Sequence, residues 1–238
     1  MSVTLDPIGI IHSCFKEKFG IPRQAGVAPA ARAELELFPL YGTPEAVRGL
    51  EAFSHIWVIF LFHECAEKGW RHTVRPPRLG GNQRVGVFSS RSGFRPNAIG
   101  MSAVRLEEVC ISPRSIRLSI SGADILDQTP VLDIKPYVPY ADLLPDARGG
   151  FASERPPVVL SVAFSDEAEA VCRQQADRFP LLRDLIIQLL QVDPRPAYYS
   201  RGPKKEHFGT RIHDLEIKWR CRGSHVVVTA IEACSPAR

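Results

Sequence analysis

The sequence lacks the short motifs that mark the common nucleotide-binding folds and serine hydrolases. It has no G-x-G-x-x-G segment after a predicted strand, no G-x-x-x-x-G-K-[ST] loop and no G-x-S-x-G turn. Its six cysteines are scattered without a C-x-x-C pair, and its histidines form neither an H-x-x-x-H nor an H-E-x-x-H pair. We therefore expect no metal site and no disulfide framework, and we interpret the cysteines as reduced thiols of a cytoplasmic protein.

Long hydrophobic runs are also missing. The longest apolar run, at residues 56–62, has seven residues, whereas a membrane-spanning helix needs about 20. The N-terminus has no charged-then-apolar pattern of a secretory signal. The composition is otherwise ordinary, with 45% hydrophobic residues in 238, which is enough for one large domain or two small ones. We predict a soluble cytosolic protein without membrane contact.

Acidic residues are absent between Arg71 and Arg95, although this segment carries six arginines and no lysine. Because burying an unpaired ion costs several kcal/mol or more, these arginines must meet solvent, acidic residues from elsewhere, or an anionic ligand. A second basic region, residues 195–222, holds eight basic residues against three acidic ones, in a chain whose net charge is only +4. Two such patches favour binding of a polyanion or of several phosphates; the alternative is two solvated surfaces.

The first two thirds of the chain predict strands joined by ordered loops. The predicted strands are residues 3–13, 55–63, 85–89 and 129–134, together with a hairpin formed by residues 103–111 and 115–120. The apolar segment 55–63 predicts a strand buried on both faces. Because strands outnumber helices and the connections resemble hairpins, we predict a mainly β fold, an antiparallel sheet or barrel rather than a doubly wound sheet.

The pattern changes after residue 145. Residues 145–157 (PDARGGFASERPP) predict a linker, and residues 158–164 a strand. Ser165 is the predicted cap of a helix that runs to about residue 179, and residues 181–192 predict a second helix with one apolar face. Residues 211–221 and 225–233 predict a hairpin. We therefore divide the chain into a β domain at residues 1–145 and a small α+β domain at residues 146–238.

Four polar loops lie at predicted strand ends, at residues 22–26, 63–64, 91–100 and 124–136. Polar groups on such loops often build binding sites, although each loop alone is equally consistent with a structured turn. Four segments that contain or overlap these loops resemble the motif series of the TrmO-type (TsaA-like or YaeB-like) tRNA methyltransferases: PRQAG, VRGLEAFSHIWVIFLFH, WRHTVRPPRLGGNQRVGVFSSRSGFRPNAIGMS and LDQTPVLDIKPY. The segment DPRPAY at residues 193–198 resembles a motif of the bacterial C-terminal domain in that family.

This resemblance implies an S-adenosylmethionine (SAM)-dependent enzyme that methylates N6 of threonylcarbamoyladenosine, just 3′ of the anticodon, in threonine tRNAs. It also implies a homodimer whose catalytic domain is a single-sheeted antiparallel β-barrel. The cofactor-binding residues that it implies are Pro22, Arg23, Gln24, His63, Glu64, Arg91, Met101, Asp124, Ile125, Leu126, Asp127, Thr129 and Pro130. At residue 128, where relatives often have Gly, the chain has Gln, and we expect an altered turn there.

The reaction requires alignment of the donor methyl group with N6, and a hydrogen-bond acceptor near N6 would assist the transfer. We assign Asp127 or Asp133 as this acceptor; each could instead brace its loop through backbone N–H groups. Arg23 and Arg91 would meet the SAM carboxylate or a tRNA phosphate. The residues assigned to tRNA binding are Arg71, Arg75, Arg78, Arg84, Arg95, Arg195, Tyr198, Arg201, Lys204, Lys205 and Arg211.

Two other functions fit part of the sequence. A tRNA-binding module without catalysis would explain both basic patches but would leave the polar loops unused. A metal-dependent hydrolase would use His63, Glu64 and an aspartate, although the spacing of these residues is poor for a metal centre.

Overall fold

The computed structural model describes residues 3–195 and 206–234. Its strands are β1 (Gly9–Ser13), β2 (Arg32–Leu37), β3 (His55–Leu61), β4 (Thr73–Val74), β5 (Val85–Gly86), β6 (Ile99–Ile111), β7 (Ile116–Ser121), β8 (Pro130–Pro136), β9 (Ser161–Phe164), β10 (His207–Ile212), β11 (Leu215–Arg222) and β12 (His225–Ala233). Its α-helices are α1 (His63–Ala66), α2 (Pro139–Asp142), α3 (Asp166–Gln174) and α4 (Leu182–Leu190). None of these helices combines the length and the apolar character needed to cross a membrane.

Six strands close into a barrel in the order β1-β2-β7-β6-β3-β8, and every pairing is antiparallel. Alternate residues point inward, as the two-residue period of a strand requires. On β7, for example, Ile116, Leu118 and Ile120 are buried in the barrel core. The predicted mainly β fold with an antiparallel barrel is therefore confirmed.

Several predicted strand boundaries were wrong. The first strand begins only at Gly9, and residues 85–89 form the two-residue β5 followed by a 3₁₀ turn at Val87–Ser89. Strand β2 was missed. The segment 55–63 is not buried on both faces: Ile56, Val58 and Phe60 fill the barrel, while the alternate side chains are only half-buried on the outer face. The hairpin of β6 and β7 is confirmed, with β6 starting earlier than predicted.

The C-terminal part is a four-stranded sheet in the order β10-β11-β12-β9, in which β9 runs parallel to β12. The Ser165 cap is confirmed, because its Oγ accepts a hydrogen bond from the Ala168 N–H at 3.2 Å. Helix α3 ends at Gln174 rather than near residue 179, whereas α4 buries the apolar face that its sequence predicted. The predicted C-terminal hairpin is confirmed as β11 paired with β12. The predicted start of its first strand at residue 211 was wrong, since a turn at His213, with φ of 57°, separates β10 from β11.

One N-terminal segment packs into the C-terminal core. Cys14, Phe15 and the alanines at positions 28, 30 and 31 are buried with the side chains of α4, β11 and β12. The Ala30 N–H donates to Gln188 Oε1 at 2.8 Å, and the His213 N–H donates to the Cys14 carbonyl at 2.7 Å. The hydrophobic core thus crosses the predicted division at residue 145, and that division stays a prediction.

Candidate active site

A cavity of about 420 Å³ lies at one end of the barrel. Its walls come from the loop after β1, the end of β3, the start of β6, and the loop between β7 and β8. These strand ends meet because each strand pairs antiparallel with its neighbours, so that Leu61 at the end of β3 lies opposite Ile99 at the start of β6. We call this feature the barrel-end cavity.

Most of the predicted cofactor residues line the barrel-end cavity. Those that do are Pro22, Arg23, Gln24, His63, Glu64, Arg91, Met101, Asp124, Ile125, Leu126 and Thr129. Four loops that are far apart in sequence are thus brought to one place. Asp127 and Pro130 are not among the lining residues.

The floor of the barrel-end cavity is apolar and built around a glycine. Gly100 lies directly opposite Phe60 in the β3–β6 pair, and the Phe60 ring covers it. Phe62 packs edge-on against Phe60, with ring centroids 5.1 Å apart. A glycine leaves room for the cross-strand ring, an arrangement known to stabilise glycine-containing strands. The floor can therefore accept a flat apolar group such as a purine.

One polar group that lines the cavity is the carboxylate of Asp124. Ser102 Oγ donates to Asp124 Oδ1 at 2.6 Å. Burial raises the pKa of Asp124, and the Ser102 hydrogen bond and the nearby Arg91 guanidinium only partly offset this effect. Arg91 in turn donates to Gln24 Oε1 at 2.7 Å, which joins two of the predicted loops. The cavity thus presents a buried carboxylate beside a guanidinium, a pair that can recognise a zwitterion.

A second polar group forms at the start of α1. His63 Nδ1 lies 3.4 Å from Thr129 Oγ1, and Glu64 pairs with Lys18 Nζ at 2.7 Å. The hydrogen bond from Lys18 lowers the pKa of Glu64 and so favours the ionised carboxylate. Sequence reasoning missed Lys18 and Ser102, because neither carries a local motif. Their contacts join residues 46 and 22 positions apart along the chain.

The two predicted acceptors lie outside the cavity lining. Asp127 accepts a hydrogen bond from the Ser13 N–H at 2.8 Å and pairs with Lys16 at 2.7 Å. Asp133 accepts from the Ile134 N–H at 2.9 Å and pairs with Lys135 at 2.8 Å. This geometry matches the alternative in which each aspartate braces its own segment, and the assignment of either as an acceptor stays a prediction.

Three predicted tRNA-binding arginines line a second cavity, of about 490 Å³. Arg71, Arg75 and Arg84 surround it, together with Thr73, Val74, Ser92 and Phe94. We call it the arginine cleft.

The other predicted tRNA-binding residues are placed differently. Arg78 donates to the Glu154 carbonyl at 2.5 Å, and Arg95 donates to the Ser90 carbonyl at 2.6 Å. Arg195 forms two hydrogen bonds with Asp193, at 2.7 and 2.8 Å, and Arg211 Nε lies 3.3 Å from Cys234 Sγ. Tyr198, Arg201, Lys204 and Lys205 lie outside the described residues. Across residues 3–195 and 206–234, no group of three or more His, Cys, Asp or Glu side chains could hold a metal ion.

A closed antiparallel barrel with a loop-built cavity at one end, lined by aromatic and charged side chains, is typical of β-barrel proteins that bind small molecules. The family model of the tRNA-methyltransferase O N-terminal domain matches residues 10–143, and that of the TrmO C-terminal domain matches residues 157–234. The chain therefore belongs to the TrmO family.

Individual relatives match over nearly the full length. The tRNA (adenine(37)-N6)-methyltransferase of Escherichia coli is 46% identical over 231 residues, which cover 97% of this chain and 98% of the relative. RcsF of Pseudomonas aeruginosa, whose name describes an S-adenosylmethionine-dependent methyltransferase, is 50% identical over 220 residues, 92% of this chain and 93% of the relative. A crystal structure of TrmO superimposes with a TM-score of 0.81 at 42% identity and covers 98% of this chain and 100% of that structure.

Proposed function

We propose that this chain transfers the methyl group of SAM to N6 of the adenine at position 37 of tRNA. The observation that carries the proposal is the convergence of four loops on the barrel-end cavity, whose volume of about 420 Å³ is within the range of small-molecule sites. The E. coli relative with 46% identity is named as a methyltransferase of the same tRNA adenine. The finer substrate that we propose is threonylcarbamoyladenosine in threonine tRNAs.

The cavity residues supply binding and alignment. Bound SAM supplies a methyl group that is already electrophilic, so a covalent enzyme intermediate is unnecessary. Arg91, held by Gln24 at 2.7 Å, would bind the carboxylate of the donor, since a guanidinium forms two parallel hydrogen bonds with such a group. Asp124 would attract the positive charge of the donor, and Phe60 and Phe62 would support its purine. The protein thereby holds the methyl group towards the entering base.

The acceptor near N6 can be identified by substitution. We propose three variants, Asp127→Asn, Asp133→Asn and Asp124→Asn; Asp124 is included because it is the aspartate that lines the cavity. Single-turnover methylation and SAM affinity are measured for each. Loss of turnover with normal SAM affinity identifies the acceptor, whereas loss of affinity alone identifies a binding role. If all three variants keep normal turnover, the acceptor is another group.

The activity is tested by nucleoside mass spectrometry of tRNA from cells that lack the gene, with the intact gene supplied on a plasmid as the control. We expect the loss of one methyl group from threonylcarbamoyladenosine, restored by the wild-type gene. An unchanged modification profile would contradict the proposal. Calorimetric titration with SAM distinguishes the methyltransferase from the alternative function, because a non-catalytic tRNA-binding module would not bind SAM.

We further propose that the chain acts in the cytoplasm as a homodimer. An apolar segment that follows the barrel supports a contact with a second copy. Tyr140, Leu143 and Leu144 are 92%, 61% and 64% exposed, and contiguous exposed apolar residues mark interaction surfaces. Sedimentation of the Leu143→Asp, Leu144→Asp double variant tests this contact, for which we expect a monomer. A variant that remains dimeric would place the interface elsewhere.

A further inference from the structure

The arginine cleft is formed at the loop end of a short ribbon. Strands β4 and β5 pair Val74 with Val85, and Arg75 and Arg84 are the next residues on the loop side of this pair; both line the cleft. Like charges at neighbouring positions of an antiparallel ribbon are destabilising. The ribbon thus brings two cations together where a neutral pair would be more stable.

Among the residues that the structure describes, no ion pair compensates this charge. Within residues 3–195 and 206–234, neither Arg75 nor Arg84 forms an ion pair, and the third arginine of the cleft, Arg71, forms none either. Elsewhere in the same part of the chain, arginines such as Arg117 and Arg222 do meet carboxylates. An anion that entered the cleft would relieve the repulsion and accept several charge-assisted hydrogen bonds.

One arginine of the cleft is held in place. The Arg71 guanidinium lies over the Phe94 ring, 4.4 Å from its centroid, and the Arg71 N–H donates to the Phe94 carbonyl at 3.1 Å. Stacking on an aromatic ring and a fixed backbone reduce the entropy that an arginine loses on binding a ligand. The cleft is therefore partly preorganised for an anion.

The cleft and the barrel-end cavity share one wall. In the loop at residues 90–95, Ser92 and Phe94 line the arginine cleft, while Arg91, Gly93 and Arg95 line the barrel-end cavity. Successive residues thus face opposite sides of a single thickness of chain. A molecule whose base enters the barrel-end cavity could therefore place a neighbouring anionic group in the cleft.

We propose that the arginine cleft is a discrete anion-binding subsite for the nucleic acid whose base is methylated. The inference rests on the proposed function and deepens it. The group that fits is a phosphate or a carboxylate, because both match the planar fork of arginine. The tRNA has two sources of it, a backbone phosphate beside position 37 and the threonine carboxylate of the modified base.

The test compares Arg75→Ala and Arg84→Ala with Arg114→Ala. Arg114 is an exposed arginine in the turn between β6 and β7, and its substitution removes the same charge at a distance from the cleft. The equilibrium dissociation constant is measured with threonine tRNA that carries threonylcarbamoyladenosine and with the unmodified transcript, over a series of salt concentrations. We expect each cleft variant to weaken binding of the modified tRNA about tenfold or more, with unchanged SAM affinity. Arg114→Ala should have little effect.

The two sources give different results, and either supports the subsite. Equal weakening for both tRNAs, with a salt slope reduced by about one, identifies a phosphate. Weakening confined to the modified tRNA identifies the carboxylate. Inorganic phosphate should also compete with tRNA in the wild type and less so in Arg75→Ala. If both cleft variants match Arg114→Ala while the wild type methylates tRNA, the subsite is refuted. A wild type that binds but does not methylate would refute the proposed function instead.

Discussion

Replacing Gly100 by Ala should damage the floor of the barrel-end cavity. The new Cβ would lie 2.4 Å from Phe60 Cε2 and 2.9 Å from Phe62 Cε2, closer than packed atoms allow. Phe60 is only 4% exposed, so its ring cannot turn away without entering the cavity or moving β3. Overpacking of this kind costs about 1–3 kcal/mol, which lowers Tm by roughly 2–4 °C for each kcal/mol in a chain of this size.

The assay combines thermal unfolding with calorimetric titration of SAM. We expect Gly100→Ala to lose at least about tenfold in SAM affinity, or about 1.4 kcal/mol, because the displaced ring occupies the floor. Gly86→Ala is the matched control, since an added Cβ there has Ser89 Oγ, at 3.9 Å, as its near neighbour and Gly86 has an ordinary φ of −57°. If Gly100→Ala melts and binds SAM as the control does, the donor does not rest on this floor.

Three further substitutions test other parts of the structure. His213 stacks on Phe179 with ring centroids 3.9 Å apart, and burial lowers the pKa of His213 from 6.5 to about 4. Between these two pH values the unfolded chain binds more protons than the folded chain. The free energy of unfolding should therefore fall by about 2 kcal/mol as the pH drops from 6.5 to about 4. His213→Asn, which tolerates the left-handed backbone, should flatten this part of the pH dependence of Tm. Gln128 has φ of 60°, so Gln128→Gly should raise the free energy of unfolding in urea by up to about 1 kcal/mol, and an unchanged value would show that the residue is not strained. Gln188→Leu removes the acceptor of the Ala30 N–H and should destabilise the fold by about 1–3 kcal/mol in the same assay, whereas a neutral effect would show that water replaces this bond.

Sequence patterns predicted the barrel well where periodicity was strong. The alternation of polar and apolar residues in Ile116–Ser121 follows directly from one buried and one solvated face. The same alternation was present in Arg32–Leu37, whose inward residues Ala33, Leu35 and Leu37 are buried, and this strand could have been predicted from it. The segment 55–63 was assigned two buried faces because both faces carry apolar residues, although a barrel buries only the inner one.

The candidate site was predictable only as a set of loops. The resemblance to a family identified residues 22–24, 63–64 and 124–126 as candidates, and the closed barrel explains why these residues lie together at one end of it. The contacts that tune the site were not predictable, because Ser102–Asp124 and Lys18–Glu64 join side chains from different strand ends. The periodicity of polar and apolar residues within one segment does not indicate which side chain of another segment it will contact. The basic run was recognised from its charge, but the cleft that its arginines line could not be predicted without the pairing of β4 with β5.

The loop at residues 22–24, for which we propose a cofactor-binding role, is held from both sides, and its contacts connect the barrel with the part of the chain that follows it. On the barrel side, the Gly26 N–H donates to the Gly122 carbonyl at 2.8 Å. On the other side, Arg155 donates to the Gly26 carbonyl at 2.9 Å. Ile21, next to the loop, packs against the C-terminal hydrophobic core.

A loop fixed at both ends transmits small displacements of either support, because packed cores are nearly incompressible. Movement of the C-terminal sheet would therefore shift Arg23 and Gln24, which line the barrel-end cavity. Gln24 also accepts the hydrogen bond of Arg91, and the loop that carries Arg91 separates the cavity from the arginine cleft. The C-terminal core, the barrel-end cavity and the arginine cleft are thus joined by one continuous series of packing contacts and hydrogen bonds.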